Sequence, residues 1–372
     1  MTTPAKAAVC YGPGKAFQME DIELDDLQPD EVLVRMVASG ICHTDLAVRD
    51  AQLPMPVPAV LGHEGAGIVA AVGSNVDNIA AGDRVVMSFN SCGSCVNCED
   101  HLPTYCYDFL NYNWTGVRPD GSPTMKRADD TLYGNFFGQS SFATYAIATK
   151  RNVVVVPEIA KDLPLEMMAP IGCGLMTGAG AVLNSMKVKA GAPIAIFGTG
   201  TVGCAAVMAA KIAGAYPIIA VDVNAQRLEL ALELGATHSF MASEAMQGIA
   251  ELCPAGLKYA FDTTGRKEVI QDVFNLMSPK SVLGMVGASD PTDMLSFNET
   301  AFMGGGKTVM GILGGDSDIE TFLPTLLSLH LEGKFPFDKL IQYFDLSDIN
   351  QAVEASESGA VIKPVLRIGN EH

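Results

Sequence analysis

Four of the nine cysteines fall within SCGSCVNCEDHLPTYC, residues 91–106, spaced C-x2-C-x2-C-x7-C at Cys92, Cys95, Cys98 and Cys106. Thiolates this close in sequence can surround one tetrahedral ion, and a site whose four positions are all protein leaves none for substrate or water. Zinc held there would support the fold. His101, inside the same stretch, could replace Cys106 as a ligand. An iron–sulfur cluster also accepts four thiolates, and disulfides are the remaining use of the thiols. The N-terminus MTTPAKAAVC lacks the basic and apolar regions of a secretory signal, so the expected compartment is the reducing cytoplasm. Clustered cysteines there bind metal more often than they pair.

A second set of reactive side chains is dispersed. GICHTDL carries Cys42, His43, Thr44 and Asp45; LGHEGAG carries His63 and Glu64; APIGCGLMTGAG carries Cys173. Two cysteines and a histidine make a three-ligand zinc site with an open fourth position, the arrangement of a catalytic metal. Spacing alone does not separate this from a buried cysteine used in packing.

A third motif is G-x-G-x-x-G at Gly198, Gly200 and Gly203 in PIAIFGTGTVGCAAVMAAKIAG, with Thr201 and Val202 between the last two glycines. It follows an apolar strand-like run and opens a helix-like one. The first glycine permits the turn, the second lets a pyrophosphate approach, and the third lets helix pack on sheet. The helix N-terminus then offers its unpaired N–H groups to phosphate. Asp222 ends the next strand-like run, nineteen residues beyond Gly203. A carboxylate there accepts both ribose hydroxyls and repels a 2′-phosphate, favouring NAD over NADP.

The elements that must position these groups fall into two textures. Residues 1–90 hold short alternating runs such as EVLVRMVASG and GAGIVAAVG, which predict several strands joined by tight turns. TGVRPDGSPTMKRADDTLYG reads as an exposed loop with no core of its own. From about residue 173, strand-like PIAIFG, PIIAVDV, YAFDTTG and SVLGMVG alternate with helix-like AAVMAAKIAG and AQRLELALELG. That alternation predicts an α/β, doubly wound parallel sheet. The tail adds helical stretches at IETFLPTLLSLHLEG and INQAVEASESG and a strand-like KPVLRI. A chain of 372 residues suffices for two domains, and a net charge of −18 disfavours nucleic acid and anionic membrane as partners.

GHEGAGIV, the four-cysteine lobe, GCG and FGTGTVG followed by Asp222 occur in one order across essentially the whole chain. In this the sequence resembles the zinc-dependent medium-chain alcohol dehydrogenases, and most of all the bacterial aryl-alcohol (benzyl alcohol) and allylic-alcohol branch. The resemblance implies a Rossmann domain over residues 173–312 and a mainly β, GroES-like catalytic domain over 1–172 and 313–372, with the zinc lobe at about 91–107. It implies two zinc ions per chain and NAD, with oxidation of a primary aromatic or allylic alcohol by hydride transfer from a zinc-bound alkoxide. Cys42, His63 and Cys173 would hold the catalytic zinc, with Glu64 behind it. Asp45 would fix the His63 tautomer, and Thr44 would take the substrate proton. His43 and Lys363 would face the cofactor pyrophosphate, Arg227 the adenosine ribose, and Thr177 and the Val286–Gly287–Ala288 strand end the nicotinamide. Leu53, Ser88, Phe136, Phe137 and Leu313 would line the substrate pocket. Where many members carry a relay histidine, this chain has Ala47. A homodimer or homotetramer is implied. The alternatives are a glutathione-dependent formaldehyde or polyol dehydrogenase, and a non-catalytic nucleotide-binding relative.

Overall fold

The near-continuous apolar run in EVLVRMVASG, buried at every position but Arg35, makes Glu31–Gly40 the spine of a seven-stranded sheet. It pairs antiparallel with Glu64–Val72, with Tyr145–Thr149 and with the C-terminal strand Lys363–Arg367. The register sets Gly40 opposite both Glu64 and Val365. Pairing across that point brings Cys42, His63 and Lys363 to one end of the sheet, although they are far apart in sequence. A four-stranded sheet containing Thr3–Cys10 and Gln18–Leu24 contributes to a second face, and Ile22, Leu24, Phe136 and Phe142 share its apolar core.

The computed structural model describes residues 2–128, 131–287, 289 and 292–371. Its contacts divide the chain into two compact units: Met1–Cys173 with Asp318–Leu331 and Asp338–His372, and Gly174–Ser317 with Glu332–Phe337. The first division lies one residue beyond the expected 172/173 boundary, and the return begins at Asp318 rather than at residue 313.

The second unit is the expected doubly wound sheet. Six parallel strands lie in the order His238–Met241, Ile218–Asp222, Ile194–Phe197, Leu257–Asp262, Met277–Met285 and Thr308–Gly311. The strand order reverses between Ile194–Phe197 and Leu257–Asp262, the crevice where such sheets bind ligands. The continuous apolar runs of IAIF and IIAVD are buried throughout, as strands covered on both faces require.

One local expectation needs correction. The loop around TGVRPDGSPTMKR is not all surface: Arg118 is buried, donating from Nε and Nη2 to the Glu31 carboxylate at 2.6 and 3.0 Å. Its guanidinium also reaches the carbonyls of Asp26 and Pro123, so one cation ties the loop to the start of the spine strand. Asp129 and Asp130 of that loop lie outside the described residues. Among the described residues no single helix is both long and apolar enough to cross a membrane.

Candidate active site

The dispersed ligands converge. Cys42 Sγ, a nitrogen of His63, a carboxylate oxygen of Glu64 and Cys173 Sγ all lie within 4.8 Å of one another, and the two sulfurs are 4.0 Å apart. A tetrahedral ion with Zn–S bonds of ~2.3 Å sets its sulfurs about 3.8 Å apart. His63 Nδ1 donates to Asp45 Oδ1 at 3.1 Å, whereas Nε2 is buried without any hydrogen-bond partner. An imidazole fixed in this way carries its lone pair on Nε2, and a buried lone pair without a donor calls for a cation. The donor set therefore fits zinc.

Asp45 does more than set a tautomer. Fully buried, it accepts from Gly62 N–H at 3.0 Å and, through Oδ2, from Cys42 N–H at 2.9 Å. One carboxylate thus fastens the backbone beside both ligands. The sulfurs are poised unequally: the hydrogen bond from the Cys173 thiol holds Cys42 well below the usual thiol range, against the opposing effect of burial. Cys173, which gives that bond and whose sulfur is desolvated, is pushed well up. The first proton leaves the pair readily, and a bound cation would favour loss of the second.

Lys363 was expected at the pyrophosphate, and the structure corrects this. It is 2% exposed, and Nζ donates to Ile41 O at 2.9 Å and to Glu64 Oε1 and Oε2 at 2.9 and 2.8 Å. An ammonium has three protons, and all three are committed. Burial alone would lower its pKa, but the Glu64 carboxylate and Cys42 raise it and keep it charged. Gly40 makes the room, since a Cβ there would meet Glu64 Oε2 at 2.0 Å.

Thr44 is half-buried with Oγ1 3.7 Å from Cys42 Sγ, and His43 is exposed at the start of the helix His43–Arg49. Of the expected pocket residues, Phe137 stacks on His63 with centroids 4.6 Å apart and Phe136 meets it edge-on at 5.4 Å. Leu53 is half-buried against the core of the same unit. Ser88 is corrected: it has no exposed surface, and its hydroxyl donates to Gly172 O, bracing the residue before Cys173. Phe136, also without exposed surface, backs the site rather than lining it. Sequence reasoning missed Trp114, edge-on to Phe136 and Phe137 at 5.5 and 5.2 Å, and Phe109, 6.3 Å from Phe137. It also missed Gln139, whose amide accepts from Gly65 N–H and donates to His63 O and Ser88 O. No spacing signal marks these three.

The four cysteines of the lobe also come together. Cys92, Cys95, Cys98 and Cys106 present sulfurs within 4.8 Å of one another, with 3.9 Å between Cys92 and Cys98 and 3.5 Å between Cys95 and Cys98. None is in a disulfide, and the set fits a second zinc. His101 is not part of it; its ring is exposed and bonds Asp318 at 2.8 Å.

In the second unit the glycine loop passes three separate tests. Gly198 has φ +88°, Gly203 approaches Gly198 so closely that a Cβ would lie 1.8 Å from its carbonyl oxygen, and beside Gly200 nothing lies within 4 Å. The middle glycine thus borders open space where a pyrophosphate can approach. Thr201, Val202 and Gly203 form the first turn of the helix Thr201–Ile212. Asp222 Oδ2 already accepts the N–H and hydroxyl of Thr199 at 2.6 and 2.8 Å, and Oδ1 accepts Asn224 N–H at 2.9 Å. This leaves room for one ribose hydroxyl rather than two. Arg227 Nε is buried without a partner, a second unmet polar group fitting a nucleotide. Thr177 is buried in Gly174–Gly180, Val286 follows the strand Met277–Met285, and Leu313 is 44% exposed. Ala288 lies outside the described residues.

Comparison with known proteins agrees with this geometry. Residues 28–158 match the alcohol dehydrogenase GroES-like domain and 201–328 the zinc-binding dehydrogenase family. The chain is 41% identical to geraniol dehydrogenase of Castellaniella defragrans, over 97% of each sequence. The chain belongs to the zinc-type alcohol dehydrogenases. Among solved structures, this alcohol dehydrogenase is similar to the alcohol dehydrogenase zinc-binding domain protein from Burkholderia ambifaria, with a TM-score of 0.96, 46% identity and 100% of both chains covered. It is also similar to benzyl alcohol dehydrogenase from Acinetobacter calcoaceticus, with a TM-score of 0.95, 39% identity, and coverage of 99% of this chain and 100% of that one.

Proposed function

We propose that this alcohol dehydrogenase oxidises a primary aromatic or allylic alcohol to its aldehyde, reversibly, with two zinc ions per chain and NAD as oxidant. The observation that carries the reading is the unpartnered Nε2 of His63 between two cysteine sulfurs, beneath the stacked ring of Phe137. Cys42, His63 and Cys173 would hold zinc, which would supply Lewis acidity to an alcohol oxygen, and bound NAD would serve as the oxidant. The remaining work belongs to the chain. Asp45 orients His63 and Cys42, and the Glu64–Lys363 pair closes the inner side of the site. The Thr44 hydroxyl, which both accepts and donates, takes the alcohol proton. Ala47, 6% exposed, offers no acceptor beyond Thr44, so the proton leaves to water or to the neighbouring, exposed His43. Phe137 and Trp114 present ring surface to a flat, unsaturated substrate. Asp222 favours NAD over NADP because a 2′-phosphate would face its carboxylate. The enzyme would work in the cytoplasm as a homodimer or homotetramer.

The test is an alcohol panel coupled to NAD and to NADP, with and without a chelator. Benzyl, cinnamyl and geranyl alcohols should turn over with NAD and lose activity with the chelator. Turnover confined to sorbitol or S-hydroxymethylglutathione would contradict the substrate assignment.

A further inference from the structure

The four-cysteine lobe and the aromatic wall beside His63 are built from one continuous piece of chain. The short helix Val96–Glu99 inside the lobe buries none of its residues, and no cysteine there is cross-linked. An ion held by the four sulfurs would add a tie that the packing of this helix does not supply. Immediately after the last ligand, Phe109 N–H donates to Cys106 O at 3.0 Å and opens the helix Phe109–Asn113. At the other end of that helix, buried Asn113 exchanges bonds of 2.9 Å with the N–H and carbonyl of Asn90, two residues before Cys92. The helix is thus anchored to both flanks of the metal-binding loop.

Its rings point to the other site. Phe109 packs edge-on to Phe137 and lies 5.9 Å from Phe89, and Trp114, at the helix C-terminus, meets Phe137 at 5.2 Å. Phe109, Trp114 and Phe137 are half-buried rather than sealed in the core. Phe137 in turn stacks on His63. We propose that the lobe determines substrate specificity: its metal fixes the helix Phe109–Asn113 and so aims Phe109 and Trp114 as the wall that receives a planar, unsaturated alcohol beside His63. This deepens the function proposed above and rests on it for the identity of the ligand. The role of the lobe then extends beyond supporting the fold.

Trp114 is the chain's single tryptophan, which provides a readout independent of turnover. Cys95→Ala should lower the zinc count by one per chain, shift Trp114 emission to longer wavelength and increase its quenching by acrylamide. The ratio of kcat/KM for benzyl alcohol to that for ethanol should fall roughly three- to tenfold, the worth of a lost aromatic contact. Unchanged emission and quenching after loss of that zinc would overturn the proposal, even if the protein oxidised no alcohol at all. Should Cys95→Ala aggregate, Phe109→Ala keeps all four ligands: the zinc count should remain two while the ratio falls, and an unchanged ratio would refute the assigned wall.

Discussion

Replacing Lys363 with methionine removes an ammonium but keeps the length of its stem. The partner left behind, Glu64, has no exposed side-chain surface, and its two oxygens lose donors at 2.9 and 2.8 Å. Breaking a buried ion pair on one side costs about 3–5 kcal/mol, because the surviving charge has neither water nor counter-ion. Total stabilities are typically about 5–15 kcal/mol, so the loss is a large share. At about 2–4 °C per kcal/mol for a unit of this size, the melting temperature should drop by roughly 10 °C. Calorimetry on Lys363→Met with the zinc chelated away, beside wild type treated alike, tests this, with Glu64→Gln/Lys363→Met as the control. The double variant has no orphaned charge and should recover most of the loss. A single variant melting within about 2 °C of wild type would refute the buried pair, since losing either the charge or its three hydrogen bonds should cost more. A double variant as unstable as the single one would show that the loss is steric rather than electrostatic.

Gly200→Ala should fold normally yet bind NADH more weakly in a fluorescence titration, because its Cβ would meet no protein atom and would project where a ligand approaches. Gly203→Ala should instead lower the melting temperature, its Cβ lying 1.8 Å from Gly198 O, with overpacking of this kind costing about 1–3 kcal/mol. Asp262 is fully buried, and burial raises its pKa against hydrogen bonds from Thr264 and Gly265. A folded pKa above the unfolded ~3.9 means stability is lost as pH rises through that window, so Asp262→Asn should gain on wild type from about pH 4 upward and then level off. A pH-independent difference in unfolding free energy would contradict this.

Features encoded by local spacing were legible in the sequence. The glycine loop, Asp222 and the four-cysteine lobe are each contained in a short stretch, and the strand–helix alternation named the sheet that carries the loop. Cys42, His63 and Cys173 were readable only through resemblance, because sheet register brings the first two together and a helical turn at Ala169–Gly172, outside any strand, carries the third. Lys363 shows the limit. It was placed at a phosphate, yet it pairs with Glu64, 299 positions away, through strands that both flank Glu31–Gly40. Phe109, Trp114 and Gln139 were missed for a related reason: aromatic and amide side chains in loops have no periodicity, and only the folded loops show which ring meets which.

The number of zinc ions each chain holds tests the catalytic metal most directly. Elemental analysis of the wild type should give two per chain, and His63→Ala should give one, with benzyl alcohol oxidation lost. One zinc in the wild type, or two retained after His63→Ala, would contradict a metal held by Cys42, His63 and Cys173.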